Sequence, residues 1–268
     1  MEGKVDMSKE LDLDFEFEDY DPLEAKPISK KSMVIFFVID TSESMKGKKI
    51  DDLNRVMREI IPELAGVGGS NTELKYAVLS FSSGCKWETS EPMIVDESNN
   101  WKDLHADGIT DLGMAFEELT NMLSRKKFLK SPSLSYAPVI FLMTDGYPTD
   151  NYKKGLAKLK ANNWYKYGIK IALGIGDYFN EGVLEEFTEN KELVVKASNT
   201  AQLVKLVRTI AVTSSQIGSK SMTIAKDDNE EFDYKDVEKT KEKEMIKTVQ
   251  DTVNDDEFID IEFEDGWD

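Results

Sequence analysis

The stretch Val34–Lys49, VIFFVIDTSESMKGKK, decides the fold. Six apolar residues run without a break into Asp40, and Asp40, Ser42 and Ser44 then follow at every second position. With Met33 added, MVIFFVI (33–39) is apolar on both faces a strand presents, the pattern of a central parallel strand covered by helices on each side. The chain that follows reads as such a cover. KIDDLNRVMREIIPEL (49–64) sets Ile50, Leu53, Val56, Met57, Ile60, Ile61 and Leu64 at helical spacing, and Pro62 predicts a kinked last turn or the start of a new segment.

The same alternation repeats along the chain. ELKYAVLSF (73–81), PVIFLMTD (138–145), IKIALGIG (169–176) and ELVVKA (192–197) read as strands, and EPMIVDE (91–97) as a short edge strand. Helices are predicted over 110–128, 151–165, 180–190 and 200–217. Thr110 or Asp111 is the N-cap of the first, and Gly155 weakens the second. Alternating strands and helices mean an α/β fold, a doubly wound and mostly parallel sheet with helices on both faces. Such a sheet works at the carboxyl ends of its strands.

Acids and hydroxyls stand at those ends. Asp40 closes the first strand and Asp145 closes VIFLMTD, so both emerge on one edge. Ser42 and Ser44 lie on the turn after Asp40, and Thr110 follows the loop HADGI (105–109). Two carboxylates and three hydroxyls form an all-oxygen set that selects a hard divalent ion, Mg²⁺ in a cell, with Mn²⁺ or Ca²⁺ as substitutes. Hydroxyls are weak neutral ligands, so the ion is expected to be held loosely and to keep an open position.

These motifs resemble those of a known family. Asp-x-Ser-x-Ser at Asp40, Ser42 and Ser44, ITDLG around Thr110 and TDGYPTD around Asp145 look like a von Willebrand factor A (vWA) domain, over roughly Ser32 to Ile217. The resemblance implies a Rossmann-like vWA fold and a metal-ion-dependent adhesion site, or MIDAS. In it Asp40, Ser42, Ser44, Thr110 and Asp145 gather the ion directly or through water, and a protein partner's Asp or Glu supplies the remaining ligand. It implies a non-enzymatic binding or adaptor module. The spellings TDLG and TDGYPTD, and the ending IAVTSSQIGSKS (210–221), look most like stand-alone bacterial members associated with tellurium-resistance and stress operons, whose neighbours include a protein kinase and a protein phosphatase. One residue departs from the pattern: Glu43 stands between the serines, where the family most often has glycine. A positive φ there would cost Glu about 1 kcal/mol relative to Gly, and its carboxylate is expected near the open face of the ion.

Charge divides the chain. Of the net −18, residues 1–30 carry −6 and residues 218–268 carry −11, which leaves 31–217 near neutral. The expected organisation is an acidic N-terminal extension (1–30), the vWA domain (31–217), a polar linker (218–257) whose stretch 235–249 has a weak solvated helix as its alternative, and an acidic-aromatic motif (258–268), with both tails expected to be disordered. DFEFEDYD (14–21) and DIEFEDGWD (260–268) alternate acid and apolar residues in the same way. They read as two copies of a docking peptide, or as a source of carboxylates for a metal site.

The acidity excludes a phosphate-backbone binder, so no nucleic acid is expected as partner. No run of eighteen apolar residues is present, so no membrane span is expected, and the acidic N-terminus is unlike a secretory signal. A single cysteine, Cys85, fits a reducing compartment, and a cytoplasmic location is the default expectation. Two rival functions remain open at this point: a metal-dependent phosphoester hydrolase or phosphotransferase, and a protein that self-assembles through its tails. The first needs a nucleophile or base and cations facing the phosphate. His105 is the only histidine, no G-x-S-x-G is present, and Lys46, Lys48 and Lys49 are expected to point to solvent. Trp87, Trp101 and Trp164 read as core or rim aromatics.

Overall fold

Alternation along β1 (Lys31–Asp40) sorts its side chains between two cores. Met33, Ile35, Phe37 and Ile39 enter one, and Val34, Phe36 and Val38 enter the other. The strand is apolar throughout because neither face meets water. The computed structural model describes residues 30–65, 67, 72–96, 98, 101–130, 135–220 and 234–255. The expected disorder of the tails and the paired segments 14–21 and 260–268 lie outside them.

The remaining strands are β2 (Thr72–Ser82), β3 (Gly84–Trp87), β4 (Met93–Ile94), β5 (Val139–Thr144), β6 (Ile169–Ile175) and β7 (Val194–Ala197). The helices are α1 (Lys48–Glu63), α2 (Leu112–Met122), α3 (Tyr152–Ala161), α4 (Asn163–Tyr167), α5 (Glu181–Thr188), α6 (Thr200–Lys220) and α7 (Tyr234–Val253). The sheet order is β3–β2–β1–β5–β6–β7, with β4 also on β2. β1, β2, β5, β6 and β7 are parallel, while β3 and β4 run antiparallel to β2. The first core packs β1 against α1, α6 and α7, and the second packs it against α2, α3, α5 and Tyr165 of α4. The expected α/β, doubly wound, mostly parallel sheet is therefore present.

Strand order reverses at β1. The chain passes from β1 to β2 on one side, then returns to β5 on the other. Ile39 lies opposite Met143, so Asp40 stands level with Thr144 and Asp145 comes one residue later. This is the crevice where ligands of such sheets bind.

Several boundaries differ from those expected. Residues 84–87 form β3, a hairpin partner of β2 turned by Gly84 at φ +89°. The helix expected over 110–128 ends at Met122. The one expected over 151–165 breaks at Asn162, whose side chain accepts from the Trp164 amide at 2.8 Å to start α4. α1 runs through Pro62, which occupies its last turn. Gly155 is a packing device: a Cβ there would stand 2.3 Å from the Gly113 carbonyl oxygen, so its absence lets α3 lie against α2.

The linker expected over 218–257 is corrected in its second half. Residues 234–253 are α7, which covers α6 and the turn before β7 with Met245 and Val249 buried. The cause is spacing: those two residues fall four apart on one face, with Ile246 and Val253 packed beside them, while the charged majority faces solvent.

Candidate metal centre

The site begins where β1 runs out. Thr41 ties the strand end to β2, its N–H donating to the Phe81 carbonyl at 2.8 Å and its hydroxyl to the same oxygen at 3.1 Å. A 3-10 turn over Glu43–Met45 follows, anchored by the fully buried Met45. Gly47, at φ +80°, then redirects the chain into α1. This short path aims Asp40, Ser42 and Ser44 into one crevice.

Asp40 is buried, and both of its oxygens are occupied by uncharged donors. Oδ1 accepts the Ser42 amide at 2.8 Å, and Oδ2 accepts a short hydrogen bond from the Thr144 hydroxyl. Burial pushes its carboxyl above the usual carboxylate range. Hydrogen bonds from Ser42 and Thr144 oppose that shift, and the charge of Asp145 adds to it. Ser42 Oγ lies 3.0 Å from Ser44 Oγ, and Ser44 donates to Asp145 Oδ1 at 2.6 Å. The second Asp145 oxygen accepts from Lys49 Nζ at 2.7 Å, in an ion pair where the Asp145 side chain is 0% and the Lys49 side chain 19% exposed.

Thr110 arrives on a loop that is tied to both others. Glu43 N–H donates to the Gly108 carbonyl at 2.9 Å, and Thr149 N–H to the Thr110 carbonyl at 2.9 Å. The Thr149 hydroxyl in turn accepts from Thr110 N–H at 3.0 Å. Asp150 accepts from the amides of Gly113 (2.9 Å) and Met114 (3.1 Å), which caps α2 from the neighbouring loop. Asp111, at the N-cap position, makes no side-chain cap and instead accepts from Gly84 N–H at 2.8 Å.

Oxygens of Ser44, Thr110 and Asp40 converge above Gly146, and Ser42 and Asp145 join them through Ser44. A Cβ placed on Gly146 would have Ser44 Oγ at 3.5 Å, Thr110 Oγ1 at 3.8 Å and Asp40 Oδ2 at 3.9 Å. Only glycine leaves that space to another occupant. An all-oxygen cradle of one buried acid, a second acid and hydroxyls fits a hard divalent cation. Among the described residues no three His, Cys, Asp or Glu side chains gather to hold an ion.

The von Willebrand factor type A domain family matches residues 35–209. The chain belongs to that family. Solved vWA-type structures resemble its fold. Proximal thread matrix protein 1 of the mussel byssus superposes with a TM-score of 0.51 at 22% identity, over 69% of this chain and 49% of that one. A further structure of the mussel protein, with a zinc-occupied MIDAS motif, gives the same values. The von Willebrand factor type A protein of Catenulispora acidiphila superposes with a TM-score of 0.51 at 18% identity, over 70% of this chain and 43% of that one. The vWA chain thus spans about half the length of these structures or less. No curated protein matches it.

Two sequence expectations change. Glu43 has no positive φ; among the described residues only Glu189 does outside glycine. Its exposed carboxylate is held by Lys46, which also binds Asp107, each at 3.0 Å. Lys49 does not point to solvent but stands on Asp145. The nucleophile expectation gains nothing: His105 is exposed, and burial, then the charges of Glu118 and Asp111, push the Cys85 thiol up to about 11. Trp87 and Trp101 are rim aromatics, donating to Glu118 and Asn54 at 2.9 Å each. Among the described residues no helix is long and apolar enough to cross a membrane.

Proposed function

We propose that this vWA domain is a non-enzymatic recruiting module whose partner is bound through a divalent ion, Mg²⁺ in the cell, held by Asp40, Ser42, Ser44, Thr110 and Asp145. The observation that carries this reading is the convergence of Ser44, Thr110 and Asp40 oxygens on the space left by Gly146. When bound, the ion supplies an electrophilic centre for a carboxylate from the partner. The residues themselves prepare its place: Thr144 and the Ser42 amide fix the Asp40 carboxylate, and Ser44 fixes one oxygen of Asp145. The zinc-occupied MIDAS motif of the mussel byssus protein supports a metal as occupant.

A protein partner fits the rim. Ile109, Met114 and Tyr147 are 52%, 52% and 61% exposed, and each sits on a loop or helix start that also bears a site residue or its cap. Exposed apolar groups around a polar centre are what a protein interface covers. The setting we infer from the motif spellings is a bacterial stress or metal-resistance system, cytoplasmic, with kinase and phosphatase neighbours. The tail segments 14–21 and 260–268 remain candidate docking peptides within it. Phosphoryl transfer is the less supported reading, because Lys46 and Lys49 are both engaged by carboxylates.

Calorimetric titration of Mg²⁺ and Mn²⁺ into the full chain and into Asp40→Ala tests the proposal. One ion per chain, lost in Asp40→Ala, is expected. No specific binding at millimolar Mg²⁺ would overturn the metal reading, and phosphoester hydrolysis above a metal-only blank would favour the enzyme.

A further inference from the structure

We propose that Lys49 is a tethered counter-cation of the site, competing with the divalent ion for Asp145 and setting the concentration at which the ion enters. The inference rests on the metal reading above and deepens it. Its ground is the pair at 2.7 Å between Lys49 Nζ and Asp145 Oδ2, made where the Asp145 side chain has no solvent exposure. The other Asp145 oxygen accepts from Ser44 at 2.6 Å, so the ammonium and the cradle share one carboxylate.

The approach of Lys49 is built by the backbone. Gly47 at φ +80° starts α1 so that Lys49 lies in its first turn beside the crevice. The lysine stem then passes Gly176, at the end of β6. A Cβ on Gly176 would stand 3.4 Å from Lys49 Cε and 3.6 Å from Nζ. Gly176 thus borders the lysine, and its own N–H is held by the Ala197 carbonyl at 2.9 Å. The ammonium, on a side chain 19% exposed, stands directly on a carboxylate with no solvent exposure. Its repulsion of a second cation is weakly screened at this depth.

The charges follow simply. Asp40 and Asp145 together carry two negative charges, and Lys49 cancels one of them before any ion arrives. A divalent ion therefore meets a site of net charge −1 instead of −2. With the ion in place, the two acids, the ammonium and the ion leave one positive charge, which one incoming carboxylate neutralises. Lys49 thus weakens the bare ion and favours the ion that has a carboxylate partner.

The test is Mn²⁺ and Mg²⁺ titration of the full-length chain as wild type, Lys49→Gln, Lys49→Met and Lys49→Arg, with thermal melting in chelator and NMR of the Lys49 side chain. The expected result is ion affinity about tenfold tighter in Lys49→Gln and Lys49→Met, near wild type in Lys49→Arg, and a lower melting temperature of both neutral variants without metal. On wild type, Mg²⁺ should shift the Lys49 Cε signal and leave that of Lys48 in place, a readout independent of how the variants fold. Equal affinity in wild type and neutral variants, or an unmoved Lys49 signal at saturating Mg²⁺, overturns the role of Lys49 while the metal reading stands. Absence of ion binding in every form, neutral variants included, overturns both.

Discussion

The rim at the strand ends and the two cores beneath it are built from opposite materials. In the cores, Phe36, Phe37, Phe116, Phe141 and Phe187 are fully buried, and burial of apolar surface stabilises the fold. At the rim, Asp40 is also fully buried, but burial works against its charge and raises its pKa. The body is arranged for stability. The rim holds a costly acid in place, which stability alone does not account for. Substitutions among the oxygen-bearing residues of the rim and in the body should therefore separate the two, with binding lost and fold kept in the first, and the reverse in the second.

The largest effect is expected at Asp40. Asp40→Ala should weaken Mg²⁺ by more than about 100-fold, while its melting temperature in chelator matches or exceeds wild type, because an acid disfavoured by burial has gone. Paired calorimetry and thermal melts decide it, and a Tm that falls sharply would erase the contrast. Gly146→Ala sharpens the same comparison. Its new Cβ meets Ser44, Thr110 and Asp40 oxygens at ordinary contact distances of 3.5–3.9 Å, so the fold should persist while the ion's space is filled. Retained Mg²⁺ binding would show that the ion sits elsewhere.

Body substitutions should do the opposite. Met245→Ala is expected to cost about 2–4 kcal/mol in chemical denaturation with ion affinity unchanged. Gly155→Ala drives a Cβ to 2.3 Å from the Gly113 oxygen, and a cost of roughly 1–3 kcal/mol is expected. Because α2 follows Thr110 directly, a loss of ion affinity in Gly155→Ala would mean that rim and body are not separable. The smallest effect is at Cys85. With its thiol pushed up to about 11, thiolate-directed alkylation at pH 8 should run about 1,000-fold below full thiolate reactivity, as a timed labelling assay would show.

Much of this was legible in the chain. β1 announced itself because a strand buried on both faces cannot alternate, and Asp40 and Asp145 because an acid directly after such a run has few structural uses. What stayed hidden depends on distance. Lys49 meets Asp145 across 96 positions of sequence, and nothing local distinguishes it from Lys46 or Lys48. α7 reads as polar because its buried face is narrow, with Met245 and Val249 as its buried apolar residues among the described ones. Asp150 caps α2 rather than the helix it precedes, a contact made across 37 positions. Glu43 was expected to bring its carboxylate to the open face of the ion; its φ is not positive, and that carboxylate is instead paired with Lys46.

The reversal of strand order between β1 and β5 has a consequence in time. Ser44 and Asp145 touch, yet 101 positions separate them, and β2 lies on the far side of β1 from β5. During synthesis the first half of the rim emerges long before the second, so a chain stopped midway holds Asp40 with neither Thr144 nor Asp145 beside it. The ion proposed for this site would require both halves and so bear witness to finished assembly. Its affinity is linked to folding by the same free energy, and occupied sites would count completed molecules.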